Sequence, residues 1–106
     1  MTNLNYSIDI HQLNGDFEGK LDTVISQEFQ PVLELEIEKC KARKPNNNLK
    51  ICFNFQGVEF ITSTFIRICV ASAKTVGKEN FSIVNTNPLI KKTLKIAGLD
   101  EELNAS

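Results

Sequence analysis

Residues 54–67 read Asn-Phe-Gln-Gly-Val-Glu-Phe-Ile-Thr-Ser-Thr-Phe-Ile-Arg, and this stretch joins the clearest strand of the sequence to a helix. The strand is predicted over 49–55, where alternate residues are apolar and Cys52 adds an apolar side chain on the second face, as in a central strand. Residues 56–61 are expected to form a connection, and a helix is predicted over 65–76. Three hydroxyl side chains stand just before that helix: Thr62, Ser63 and Thr64.

The residues before this stretch predict a hairpin followed by a long helix. Apolar and polar residues alternate over 6–10, and Asn14-Gly15 is a strong signal for a tight turn, so we expect a return strand over 16–21. Asp22-Thr23 is typical of a helix start, and the helix should end near 43–44. Its buried stripe is predicted to contain Ile25, Phe29, Leu33, Ile37 and Cys40.

The residues after this stretch predict a further strand and a further helix. The strand is expected over 81–84, and Asn87-Pro88 is a strong helix start, with a cap followed by proline at the first helical position. That helix should reach Ala97, and residues 100–106 should form a frayed tail. Two strand–helix–strand crossovers follow from this order. We therefore predict an α/β fold with a mixed β-sheet that starts with an N-terminal hairpin and has helices packed against it.

The composition indicates one folded domain over residues 1–106. The chain has 106 residues, of which 42% are hydrophobic and 24% charged, and its formal net charge is -1. Such a balance argues against a nucleic-acid partner and against a polybasic membrane-surface module. Neither a signal peptide nor an apolar run long enough for membrane insertion is evident. Three cysteines without a C-x-x-C motif favour reduced thiols, so we expect a soluble cytoplasmic protein.

The sequence offers little for catalysis. No phosphate-binding loop, dinucleotide fingerprint, nucleophile elbow or zinc-protease motif occurs, and His11 is the only histidine. We therefore predict that the protein is not an enzyme and uses neither a cofactor nor a metal. The three hydroxyls at 62–64 have two interpretations, because one of them could cap the helix, or one could accept a phosphate at the edge where ligands bind in open α/β sheets.

Three blocks of the sequence resemble the STAS family, the sulfate-transporter and anti-sigma-factor-antagonist domains. Residues 54–67 are similar to its signature, roughly D-L-S-x-V-x-F-[ILM]-[DS]-S-[SAT]-G-[LI]-[GR]. Gly19-Lys20-Leu21-Asp22 resembles the G-x-L-D that ends the family's second strand, and residues 87–99 resemble its third helix. The blocks occur in the family's order over nearly the whole chain, so the resemblance implies a STAS-type fold.

The resemblance also implies a function without catalysis, namely that of an anti-sigma factor antagonist. In such bacterial partner switches, which regulate transcription, an anti-sigma factor with serine kinase activity phosphorylates the antagonist, and a PP2C-type phosphatase reverses this. Ser63 matches the phosphorylated serine, and Thr64 is a secondary candidate. The residues that the resemblance assigns to partner binding are Asp22, Thr62, Ser63, Thr64, Phe65 and Arg67.

Some positions depart from the family pattern. Asn54 replaces the usual Asp, Thr62 replaces Asp or Ser, and Phe65 stands where glycine is typical. Phe65 either fills the core or projects toward a partner as an aromatic anchor. Two alternative functions therefore stay open: a constitutive docking subunit, such as the STAS component of a transport complex, or a STAS-like phosphoprotein that regulates another signalling enzyme.

Overall fold

A computed structural model describes residues 2–106. In chain order, its elements are β1 (Thr2–Ser7), β2 (Gln12–Leu21), α1 (Thr23–Arg43), β3 (Lys50–Ile61), α2 (Ser63–Val76), a short 3-10 turn (Lys78–Asn80), β4 (Phe81–Val84) and α3 (Pro88–Ile96). The strands form one sheet in the order β1-β2-β3-β4. β1 is antiparallel to β2, whereas β2, β3 and β4 are mutually parallel. The predicted α/β fold, with its mixed sheet and N-terminal hairpin, is confirmed.

The turn of the hairpin lies earlier than the sequence predicts. It occupies residues 8–11, whereas Asn14-Gly15 lies inside β2. His11 takes the positive φ of 49° that the turn requires, and its backbone amide donates to the carbonyl of Ile8. Gly15 serves packing instead, because a Cβ there would lie 2.9 Å from the ring of Phe17. The signal of an Asn-Gly turn was therefore wrong here, since glycine was needed for a close approach in the sheet.

The strand β3 is longer than predicted. The connection expected over 56–61 instead continues β3, which stays paired with β2 as far as Leu21 opposite Ile61. Two register shifts in this pairing, one of them at Gly19 with its φ of 80°, accompany the loss of alternation after Phe55. Alternation of buried and exposed residues does not predict this part of the strand, because Val58, the next buried residue after Phe55, comes three positions later.

Aromatic rings form the centre of the core between the sheet and the first two helices. Phe17 and Phe53 come from β2 and β3, and Phe29 comes from α1. The ring of Phe17 meets that of Phe53 edge to face at 5.0 Å between centroids and that of Phe29 at 5.3 Å. The predicted stripe of α1 is buried at Phe29, Leu33, Ile37 and Cys40, while Ile25 is only partly buried.

The C-terminal tail packs against the domain, so the prediction of a frayed end was wrong. Leu103 is fully buried in the core. Ala105 pairs with Ile83 of β4 as a parallel bridge, and the amide of Ser106 donates to the Ile83 carbonyl at 3.0 Å. Asn104 takes a positive φ and donates from Nδ2 to the Phe81 carbonyl at 2.8 Å. These contacts are long-range, so local composition could not predict them.

Among residues 2–106, no helix combines the length and the apolar character needed to cross a lipid bilayer. The longest helix, α1, has 21 residues but alternates charged and apolar side chains.

Candidate functional site

Three strand-to-helix junctions meet at one edge of the sheet. The parallel strands β2 and β3 end opposite each other at Leu21 and Ile61, and the loop after β4 brings Asn87 to the Val58 carbonyl of β3, so all three strands lead into helices at the same end of the sheet. The junctions are centred on Asp22 before α1, Thr62 before α2 and Asn87 before α3. This edge therefore holds the N-termini of all three helices, and we call it the junction edge.

Two hydrogen bonds from one residue join the first two junctions. Both the backbone amide and the side-chain hydroxyl of Thr62 donate to the carbonyl of Leu21, each at 3.1 Å. Leu21 immediately precedes Asp22, so the start of α2 is fixed against the start of α1. The site residues predicted from residues 19–22 and from residues 54–67 are thereby brought to the same edge.

The three helix starts differ in how their first-turn amides are satisfied. Asp22 accepts from the amide of Ile25 at 2.9 Å, and Asn87 accepts from the amide of Ile90 at 2.8 Å. Both are Asx caps of the usual kind. Thr62 makes no such bond to α2, because its hydroxyl is used on Leu21. Of the three hydroxyls at 62–64, that of Thr62 therefore does not cap α2, and the N-cap position of this helix supplies no side-chain acceptor to the first turn.

Ser63 is the first residue of α2, and its side chain is exposed. Thr64 follows it and is partly buried. Arg67 is exposed one helical turn later, which puts its cation on the same face of the helix as Ser63. Ser63 and Arg67 are therefore exposed one turn apart on the same face of α2.

Phe65 is a core residue and has no exposed surface. Its ring stacks on Phe29 at 5.9 Å between centroids and meets Phe17 edge to face at 5.3 Å. Its assignment to partner binding was therefore wrong, and the alternative of a core residue holds. A ring in place of the family's usual glycine fills space beneath α2, so it anchors the first turn of that helix from inside.

Two features close to this edge were not predicted from the sequence. Phe60, the second-last residue of β3, is a large apolar side chain that is 38% exposed. Asn54 accepts from Asn85 at 3.0 Å and donates to Asp16 at 3.2 Å, so an amide network crosses from β2 to the loop after β4. The abundance of asparagine in the sequence was a signal for such networks, but their partners depend on strand order.

The other chemically reactive side chains lie away from the junction edge. His11 is 4% exposed in the hairpin turn, at the opposite end of the sheet, and forms a hydrogen bond with the hydroxyl of Tyr6. Burial raises the pKa of the thiols of Cys40 and Cys69 and so disfavours the reactive thiolate. Among the residues that the structure describes, no three His, Cys, Asp or Glu side chains converge as metal ligands.

The junction edge thus offers an exposed hydroxyl on a helix N-terminus. Backbone amides at such a position point outward, and the helix dipole favours an anion there. The chemistry that this arrangement supports is the acceptance of a phosphate by Ser63, with the side chain of Arg67 in the next turn as a further positive charge.

Two solved structures are similar to this one over nearly its whole length. One is the crystal structure of an anti-sigma factor antagonist from Mycobacterium paratuberculosis, with a TM-score of 0.75 and 17% sequence identity, covering 99% of this chain and 85% of that chain. The other is the anti-sigma factor antagonist SpoIIAA in its unphosphorylated form, with a TM-score of 0.71 and 14% identity, covering 100% of this chain and 88% of that chain.

A scan against models of known protein families finds no match, and a search of curated protein sequences also finds none. The likeness therefore lies in the three-dimensional arrangement rather than in close sequence relationship. The order of strands and helices, including the N-terminal hairpin, is that of the two antagonists. The chain thus has the STAS fold of anti-sigma factor antagonists, as its three sequence blocks predict.

Proposed function

We propose that this protein is a signalling module without catalytic activity, a partner switch of the anti-sigma factor antagonist type that is controlled by phosphorylation of Ser63. The observation that supports the proposal is the exposed Ser63 hydroxyl at the start of α2, a helix whose first turn has no side-chain cap. A similar fold in SpoIIAA, solved in its unphosphorylated form, points to the same chemistry. Thr64 is a weaker candidate because it is partly buried.

Phosphorylation at this position should act on an interface and not on the fold. A phosphoserine adds about -1.5 to -2 charges and three acceptor oxygens. At the N-terminus of α2, these oxygens face free amides and the positive end of the dipole, so the domain tolerates them. A partner that docks closely over Ser63 would instead meet new charge and bulk. Phosphorylated protein should therefore melt at nearly the same temperature and lose its partner.

The proposed partners are an anti-sigma factor with serine kinase activity and a PP2C-type phosphatase that removes the phosphate. Their docking surface would include the exposed or partly buried site residues of the junction edge. Those residues are Asp22, Thr62, Ser63, Thr64 and Arg67. Phe65 does not belong to the surface because its ring is buried.

The test is phosphorylation of the full chain by serine kinases of its host with ATP, followed by intact-mass and fragment mass spectrometry. We expect one phosphate on Ser63, present in a Thr64→Ala variant and absent in Ser63→Ala. A Ser63→Asp variant should lose the anti-sigma factor, whereas Ser63→Ala should retain it. Absence of modification together with partner capture by Ser63→Asp would favour the constitutive docking subunit instead.

A further inference from the structure

The two outermost strands of the sheet, β1 and β4, differ in whether other residues cover their outer sides. At the β4 edge, residues 104–106 run alongside Ile83 and bond to its backbone, so this edge is covered. At the other edge, no strand among residues 2–106 pairs with the outer side of β1. β1 also has neither a charged residue nor a proline over Thr2–Ser7, the features that usually protect an edge strand.

A groove runs beside this unprotected edge, between β1 and α1. Its volume is about 490 Å³, which is suited to the side chains of an extended peptide. Leu4 of β1 and Phe29 of α1 line its apolar part, and Val32 is 53% exposed there although it is a large apolar residue. The groove therefore combines unpaired strand hydrogen-bonding groups with an apolar surface beside them, the arrangement that accepts an added β-strand.

The charges in the groove indicate what kind of strand fits. Glu28 and Glu36 line it, and no lysine or arginine among residues 2–106 does. Glu36 lies 3.8 Å from Lys39 at the surface, an exposed ion pair that an incoming cation can replace at little cost. A second copy of this chain would be a poor occupant, because pairing of two β1 strands would bring the glutamates of both copies to one seam.

The spacing of the groove residues defines a sequence pattern. Glu28, Val32 and Glu36 are four residues apart on α1, which places each about 6 Å from the next along the helix axis. Alternate residues of an extended strand point to the same side and are about 6.6 Å apart. Three alternate side chains of an added strand can therefore face these three helix residues in turn.

From this geometry, we propose that the β1–α1 groove binds an extended segment of a partner protein with the pattern basic–x–apolar–x–basic, added as a strand to β1. The apolar side chain faces Val32, and the two basic side chains face Glu28 and Glu36. This surface is independent of the proposed phosphorylation of Ser63, and either proposal can fail without the other.

The probe is the peptide acetyl-Thr-Arg-Thr-Val-Thr-Arg-Thr-amide, titrated into the isotopically labelled full chain and followed by NMR at low salt. We expect saturable shifts confined to β1 and the adjoining face of α1, with slower hydrogen exchange of β1 amides. A peptide of the same composition with adjacent arginines, Thr-Arg-Arg-Val-Thr-Thr-Thr, should bind more weakly by a factor of up to about five, because loss of one exposed charge pair is worth up to about 1 kcal/mol.

Charge reversal provides the decisive variants. Glu28→Lys with Glu36→Lys should weaken binding of the arginine peptide about tenfold or more and create binding of the matching glutamate peptide. The matched control is Glu34→Lys with Glu38→Lys, which makes the same charge change on the side of α1 that faces α2 and should change affinity less than twofold. Ser63→Asp should leave peptide binding unchanged.

Three outcomes would overturn the proposal. One is a lack of saturable binding at millimolar peptide. Another is equal weakening by the two charge-reversal pairs, which would indicate a nonspecific effect of net charge. The third is a dimer in analytical ultracentrifugation that buries β1, because a second copy would then be the occupant of this edge.

Discussion

The starts of α2 and α3 lie at the same edge of the sheet but are held by different means. At α3, the side chain of Asn87 caps the helix and also donates to the Val58 carbonyl at 2.9 Å, so one residue serves both the helix and the strand. At α2, the hydroxyl of Thr62 bonds only to the Leu21 carbonyl and leaves the helix uncapped. The buried ring of Phe65 holds this helix instead.

This difference shows how one fold can separate a structural helix start from one that is available for chemistry. A capped first turn has its acceptor already and gains little from another anion. An uncapped first turn that is anchored from below keeps its amides for water or for a phosphate. The following predictions test whether anchoring and capping are divided between α2 and α3 in this way.

The largest effect is expected from removal of the anchor. Phe65→Ala should lower the free energy of unfolding by about 3–5 kcal/mol, because it empties a fully buried site between aromatic rings. Leu89→Ala is the matched control in the first turn of α3, where the side chain is 61% exposed, and should cost less than about 1 kcal/mol. Urea unfolding measures both. Similar losses in the two variants would show that α2 has no special anchor.

A smaller effect is expected from removal of the cap. Asn87→Ala should cost about 1–2 kcal/mol because the amide of Ile90 loses its acceptor. Thr62→Ala removes one strand-to-strand hydrogen bond and no cap, so it should cost about 0.5–1 kcal/mol. Asn87→Asp retains the acceptor and should recover part of the loss. Thermal melting compares these variants. A larger loss of stability in Thr62→Ala than in Asn87→Ala would contradict this assignment of roles.

A negative charge at Ser63 should stabilise the protein slightly. Ser63→Asp places a carboxylate at the uncapped start of α2 and should raise the free energy of unfolding by about 0.3–1 kcal/mol at low salt. The electrostatic part of this gain should disappear in about 1 M salt, where the Debye length is about 3 Å. The neutral variant Ser63→Asn should lack this salt-dependent part. Destabilisation by Ser63→Asp at every salt concentration would contradict the view that this helix start accepts an anion.

At the opposite end of the sheet, the stability of the protein should depend on pH through His11. Burial, and secondarily the charge of Lys44, lowers the pKa of His11 below its ordinary value of 6.5. The unfolded chain therefore binds a proton at a higher pH than the folded chain does. The contribution of His11 to stability is fully present above about pH 6.5 and is lost as the pH falls below that value.

His11→Asn should flatten this part of the stability curve between pH 7.5 and 5.5, since asparagine does not titrate and tolerates the positive φ at this position. Chemical unfolding at several pH values measures the slope. An unchanged slope in the variant would assign the pH dependence to other groups.

Local signals in the sequence were sufficient for much of the architecture. The Asx caps at Asp22 and Asn87, the stripe of α1 and the placement of Ser63 at a helix start all follow from residue type and spacing. These features depend on neighbours within one or two turns. The three blocks that resemble STAS domains implied the type of fold, whereas the strand order β1-β2-β3-β4 is known only from the structure.

The errors concern features that depend on distant neighbours. Gly15 looked like a turn residue because the sequence does not show that the rings of Phe17 and Phe53 would crowd a Cβ there. Phe65 could not be assigned to core or surface until the space beside Phe29 was known. Leu103 looked like part of a polar tail, although the packed domain provides a buried place for it.

The packed tail has a practical consequence for handling the protein. Residues 104–106 shield the backbone of Ile83, so a variant without this segment would have bare strands on both flanks of the sheet. Trimmed molecules could then join flank to flank without a natural stopping point. The variant without residues 104–106 should therefore become turbid on storage, whereas protein that retains them should stay clear.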